Sequence, residues 1–571
     1  MAITGTPITL DKITGEVEFS SEKGIYAPDL SAQLWGKPFN AKLYRDAQQQ
    51  MSFTATIAPK ILDQFTNFRW QTIFSDDIVI SGLLSKDPKN FSKTLLSIES
   101  DMQGVAINLP APIGKTSEQR QPLVLKLHFD PGFSQLEGRL GPNMLADIRF
   151  EESRLKQGVI SYDRALVMPS QEVLLISADL PTIDFNVWQP LSYLMDQNPT
   201  DDRAIKTVFD IELAQWKFAG IELSEVSAKI KPVTSGFDAE FTSDLADGSL
   251  TLYKDASQPA KVALNRLSVS GNLGRNNVNV DPRQFLAVDF SVDHLSVAER
   301  DLGSLSFELR PESSGASFNN IGGDIIGLQP GIFASEAPTE FFWGYNGQAH
   351  FSQLVGPIGI NNIGHLFNVF DLPQVLDSKS GRLDADLSWR GMPWAISKEN
   401  LMGGFKINLV EGNFYRTPTG AGAALKLVGL FNFANWLRRL QLDFSDVVGQ
   451  NLAYRRLDGT LSFDLSVLTL DEPLKIDMPS GKMSMAGNFD LGFETLDAKL
   501  VATLPVATNL PWLVGLTGGL PAALGVYATS KLVEEQVDRL SSISYKMSGP
   551  WDDVEVAVDK IFAAELPESS Q

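Results

Sequence analysis

Residues 457–504, LDGTLSFDLSVLTLDEPLKIDMPSGKMSMAGNFDLGFETLDAKLVATL, hold four strand-like runs: Leu457–Val467, Leu468–Met478, Lys482–Leu491 and Thr495–Leu504. In the first, Leu461, Phe463, Leu465 and Val467 alternate with Thr460, Ser462, Asp464 and Ser466. In the third, Met483, Met485, Phe489 and Leu491 share one phase against Lys482, Ser484, Asn488 and Asp490. In the last, Leu496, Ala498, Leu500, Ala502 and Leu504 oppose Thr495, Asp497, Lys499, Val501 and Thr503. A period of two sends successive side chains to opposite faces, so these runs predict a sheet with one apolar and one wet face. No connection here is long enough for a crossover helix, so neighbouring strands are expected to pair antiparallel.

The same rhythm extends through the chain. It opens with Ile13, Val17 and Phe19, then Leu30–Leu34, Phe39–Leu43 and Met51–Ile57. Further strands are expected at Ile78–Leu84, Val105–Leu109, Leu123–Phe129, Phe209–Leu213, Ile221–Ile230, Phe237–Phe241 and Leu250–Tyr253. The series continues with Leu286–Val292, Leu305–Leu309, Leu383–Trp389 and Phe405–Leu409. Short helices are expected within 58–75, near Ile183–Met195 and near Ile363–Phe370. The expected fold is therefore mainly β: a long antiparallel series with few helices and no fixed-period repeat.

Two segments break the rhythm. In Thr419–Leu440, Leu427, Leu430, Phe431, Ala434, Leu437 and Leu440 fall at helical spacing, and Arg438 and Arg439 close the last turn. This reads as a helix packed on the sheet, or as an amphipathic lid or membrane-surface helix anchored by Trp436. The second, Val501–Ser530, carries no Asp, Glu, Lys or Arg. Its prolines and glycines interrupt it too often for a simple spanning helix, so two short apolar helices are expected around Trp512 and Leu513.

The chain has 571 residues, 43% hydrophobic, enough to bury a large core. Its 48 Lys plus Arg against 69 Asp plus Glu give a net charge of −21, which argues against nucleic acid as a partner. With no cysteine there is no thiolate metal ligand or cysteine nucleophile. The first residues are neither a signal peptide nor an anchor, so the chain is cytosolic or lies downstream of an anchor. His128, His294, His350 and His365 lack metal-ligand spacing, and no GxSxG elbow or phosphate-binding loop occurs. Adjacent acids such as Asp76-Asp77 and Asp552-Asp553 point to opposite faces of a strand and read as solvated turns. No cofactor, metal or catalysis is expected.

The series Leu387-Ser-Trp389-Arg-Gly391-Met-Pro393, Gly403-Gly404-Phe405, Glu411-Gly412-Asn413-Phe414, Gly420–Gly429, Arg438–Asp446, Met483–Leu491 and Tyr545–Asp553 resembles the AsmA-like proteins of the YhdP type. Turns such as Leu34–Pro38 resemble the middle part of the same family. The resemblance implies a periplasmic protein of Gram-negative bacteria, anchored upstream, whose strands curl into an open groove that carries phospholipid between inner and outer membranes. It implies three regions: a continuous β-groove over 1–380, an AsmA-like C-terminal region with lid and cap helices over 381–562, and a disordered tail over 563–571. The candidate groove floor is Leu383, Leu387, Phe405, Ile407, Leu461, Phe463, Leu465, Met483, Met485, Phe489, Leu491, Leu496 and Leu500. The candidate lid or membrane contacts are Leu427, Phe431, Trp436, Leu437, Trp512 and Leu513. The expected partners are phospholipids, a membrane at the C-terminal end, and an upstream anchor portion or partner protein. The alternative is a set of β-sandwiches, an outer-membrane assembly scaffold in which each apolar face meets another sheet and no lipid enters.

Overall fold

The computed structural model describes residues 10–20, 24–44, 50–63, 70–86, 93–130, 132–151, 154–184, 187, 205–218, 221–233, 235–255, 257–269, 280–369, 374–415, 452–479, 481–503 and 542–561. The chain divides into two compact units, Met1–Ser257 and Gln258–Gln571. The boundary expected near residue 380 falls inside the second unit.

The first unit contains β1 (Leu10–Gly15), β2 (Glu18–Ser20), β3 (Gly24–Leu34), β4 (Lys37–Leu43), β5 (Met51–Ile57), β6 (Ile78–Lys86), β7 (Thr94–Ser100) and β8 (Leu123–Asp130). It continues with β9 (Phe133–Leu140), β10 (Met144–Glu151), β11 (Arg154–Tyr162), β12 (Val173–Asp184), β13 (Lys206–Phe218), β14 (Ile221–Val233), β15 (Gly236–Thr242) and β16 (Ala246–Tyr253). The second unit contains β17 (Ala260–Val269), β18 (Val288–Val297), β19 (Arg300–Glu312), β20 (Gly315–Ile325), β21 (Leu328–Pro330), β22 (Glu340–Tyr345), β23 (His350–Ile360) and β24 (Ser380–Arg390). It ends with β25 (Leu401–Phe414), β26 (Leu452–Asp464), β27 (Val467–Met478), β28 (Gly481–Asp490), β29 (Thr495–Thr503), β30 (Ser542–Pro550) and β31 (Glu555–Ile561). Helices are sparse among the described residues: α1 (Pro59–Leu62), α2 (Trp70–Ile73), α3 (Gly364–Val369) and a 3-10 turn at Pro282–Gln284. None is long and apolar enough to cross a membrane. The fold is mainly β.

Most neighbours pair antiparallel, and β25 to β31 pair antiparallel in sequence order. The sheet is nevertheless mixed. β11 pairs parallel with β12, β12 with β13, and β17 with β18. Each parallel step needs a connection that returns the chain to the same end of the sheet. Residues 163–172 supply one, and Arg164 fastens it with ion pairs of 3.1 Å to Asp179 and 3.3 Å to Asp210 on the two strands that follow.

Several local expectations change. Val105–Leu109 forms no strand, only two isolated bridges, from Ile107 to Phe74 and from Ile107 to Lys115. The Lys115 ammonium is buried and donates to the carbonyls of Met102, Val105, Thr116 and Gln119, which clasps residues 101–121 into a loop. Among the described residues of 58–75, helix is limited to α1 and α2. Val501 and Thr503 belong to β29 and are buried, so the uncharged segment begins inside the sheet. The segments read as lid and cap, and most of Ile183–Met195, lie outside the described residues.

Candidate functional site

In a ladder, directly opposed residues share a face, so the registers show whether one apolar surface persists from strand to strand. In the first unit, a row runs Leu30, Ala41, Phe53, Gly82, Ile98, Leu125, Gly138 from β3 to β9. It continues Ala146, Ile160, Ile176, Phe209, Ile230, Ala239, Leu250 to β16. Every member is apolar or glycine, including across both parallel junctions. Gly82 leaves no hole, because the Phe53 ring lies over it where a Cβ would stand.

The second unit has a matching row. It runs Ala260, Val288, Leu309, Phe318, Phe341, Leu354, Leu387 over β17–β20 and β22–β24. It continues Gly403, Phe463, Leu468, Phe489, Leu496, Gly549 over β25–β30. Beside it the rings of Phe290, Phe307, Phe318, Phe341 and Trp389 touch in sequence, with centroids 4.8, 5.2, 5.6 and 5.8 Å apart. Edge-to-face and offset contacts of this kind hold rings in fixed orientations. The opposite phase is charged: Arg310 pairs with Asp289 and Glu308, Arg382 with Glu336 and Asp384, and Lys499 with Asp559.

Exposure changes along this second row. Phe318, Phe341, Leu354 and Leu387 are half-buried. Leu468 and Phe489 are 1% and 0% exposed. The closed part belongs to a large core in which Met485, Leu500 and Met547 pack with Ile360, Leu409 and Phe414 from earlier strands and with Ile363 and Phe367 around α3.

Among the floor residues expected from sequence, Leu461, Met483, Met485, Phe489, Leu491, Leu496 and Leu500 are buried in this core, and Leu383, Phe405, Ile407 and Phe463 pack against it half-buried. Leu387 lies in the row itself. Leu465 is a correction. It sits in the two-residue turn between β26 and β27 with φ 54° and is 47% exposed, so it lines no floor. The phase change from Leu461 and Phe463 to Leu468 and Leu470 is the signal that marks this turn. Leu427, Phe431, Trp436, Leu437, Trp512 and Leu513 lie outside the described residues. Sequence reasoning missed the ring ladder, since strand patterns do not give the register that brings the rings together. Among the described residues there is no group of three or more His, Asp or Glu placed to hold a metal.

The family model for the YhdP protein matches residues 1–556 of this chain. The chain belongs to the YhdP family. It is 23% identical over 239 residues to the intermembrane phospholipid transporter YhdP of Escherichia coli (strain K12). The aligned part is 41% of this chain and 19% of that relative, so the chain spans a small part of the relative's length.

Proposed function

We propose that this YhdP-family chain carries phospholipid between membranes by holding acyl chains against its apolar rows. The observation that carries the reading is row continuity: no polar or charged residue interrupts either row. A methylene laid on such a surface is stabilised by about 0.8 kcal/mol relative to water, and where the row keeps exposed surface the next strand offers nearly the same stabilisation. Movement along the row then has no deep trap and needs no catalytic group, so the chain acts as a conduit and not as an enzyme. Head groups stay on the open, wet side of an acyl-binding groove. The relative's name supports lipid as cargo. The setting proposed is the periplasm of a Gram-negative cell, supporting the outer-membrane barrier, with membrane contact at the C-terminal end and an upstream anchor portion or partner protein.

The scaffold reading has one observation in its favour: Phe489, Met485, Leu500 and Met547 are fully buried, as in an ordinary protein core. Organic extraction of the purified full chain followed by mass spectrometry separates the two. Co-purified glycerophospholipid supports carriage, and a lipid-free protein supports the scaffold.

A further inference from the structure

We infer that phospholipid acyl chains touch the second unit over β18–β24, and that the face of β26–β30 is a sealed protein core that lipid does not enter. This rests on the proposed lipid carriage and assigns which part of the floor performs it. The two stretches share one row but differ in what they offer a ligand. From Phe318 to Leu387 the side chains keep free apolar surface. Across Leu468, Phe489 and Leu496 that surface is gone, at 1%, 0% and 5% exposure. A hydrocarbon gains nothing from side chains that other side chains already cover, because stabilisation follows the area newly removed from water. Reaching Met485 or Leu500 requires separating packed groups and losing their close contacts.

The chemistry of the open stretch selects its occupant. Phe290, Phe307, Phe318, Phe341, Leu354 and Leu387 offer no hydrogen-bonding group. The backbones of β18, β19, β23 and β24 are laddered on both sides, which leaves no free edge there for an added peptide strand. The charged residues Asp289, Arg310, Arg382 and Asp384 are paired on the opposite phase. An occupant must therefore be uncharged and free of unsatisfied polar groups where it meets the floor, as an acyl chain is. The ring ladder adds a flat, rigid surface that loses little side-chain entropy on contact.

The experiment uses the unmodified full chain and a phosphatidylcholine carrying a diazirine on one acyl chain. After irradiation and proteolysis, mass spectrometry maps the adducts. The expected result is adducts on peptides from β18–β24 and their loss on peptides covering β28–β30. Adducts on Met483–Leu500 as abundant as those around Phe318 and Leu354 overturn the inference while lipid carriage stands. Adducts confined to the first unit also overturn it and leave carriage intact. Absence of adducts everywhere, together with a lipid-free purified chain, removes both readings.

Discussion

The indole Nε1 of Trp343 donates to Nδ1 of His350 at 3.1 Å, and the same imidazole stacks on Tyr345 with centroids 4.4 Å apart. The bond requires an unprotonated Nδ1. Burial pushes the His350 imidazole below its ordinary value, and the Asp281 carboxylate pulls the other way more weakly. A lowered folded value means that the contribution is complete above about pH 6.5, where both states are neutral. It declines as the pH falls below that, because the unfolded chain takes up the proton first. Denaturant unfolding followed through tryptophan fluorescence should show stability falling between neutral and mildly acid pH. His350→Gln, which does not titrate, should flatten that part of the profile. An unchanged slope in the variant would assign the effect elsewhere.

Leu465 and Met485 both stand on the apolar phase of their runs in the sequence and should respond in opposite ways. Met485→Ala removes a fully buried side chain and should cost roughly 2–5 kcal/mol. Leu465→Asn exchanges an exposed leucine for a residue that accepts the left-handed turn, so stability should change by less than about 0.5 kcal/mol or rise. Urea titrations of both variants decide this. Comparable destabilisation would show that the turn is misplaced.

Asp377 organises two phenols. Tyr415 donates to its carboxylate, which together with burial pushes the Tyr415 phenol up to about 12. Tyr454 donates to its carbonyl and is raised chiefly by burial, with the Asp377 charge adding to it. Raised folded values stabilise fully below the unfolded phenol value of about 10, and the contribution is lost as the pH rises through the folded values. Tyr415→Phe should therefore lower stability at neutral pH and reduce its decline between pH about 10 and 12. Ultraviolet titration of phenolate in the wild type and Tyr415→Phe checks it: the variant should lack one late-titrating tyrosine.

Gly82 is a fourth test, because a Cβ there would stand 2.1 Å from the Phe53 ring. Gly82→Val should force that ring off its site and destabilise the first unit by roughly 1–3 kcal/mol. The paired change Gly82→Val with Phe53→Ala should recover part of the loss. Strictly additive losses in such a double-mutant cycle would mean that the ring does not fill this space.

The β character and the pairing of β26–β29 are legible in the alternation, since a one-sided sheet forces a period of two. Leu465 misled because the alternation of Phe463, Leu465 and Val467 runs on through a turn that contains no Gly, Pro or Asn. Val105–Leu109 misled because its apolar residues serve a loop held by the Lys115 ammonium, a tertiary contact with no local signature. The parallel steps at β11–β13 and β17–β18 were illegible for a related reason: connections such as 163–172 do not differ in composition from hairpin loops. Which side chains share a floor could be read strand by strand. How much of that floor stays open depends on packing between distant strands, as where Ile360 meets the core of β26–β30.

Nearly every strand pairs only with its neighbours in sequence, so each unit behaves as a quasi-one-dimensional stack in which a strand is held by the two beside it. Length then becomes a free variable. Away from the core of β26–β30, inserting or deleting one hairpin changes the run of the apolar row by about 10 Å and disturbs chiefly the strands it adjoins. On the proposed lipid carriage, a lineage can lengthen or shorten the apolar row by counting hairpins, without redesigning the surface it presents.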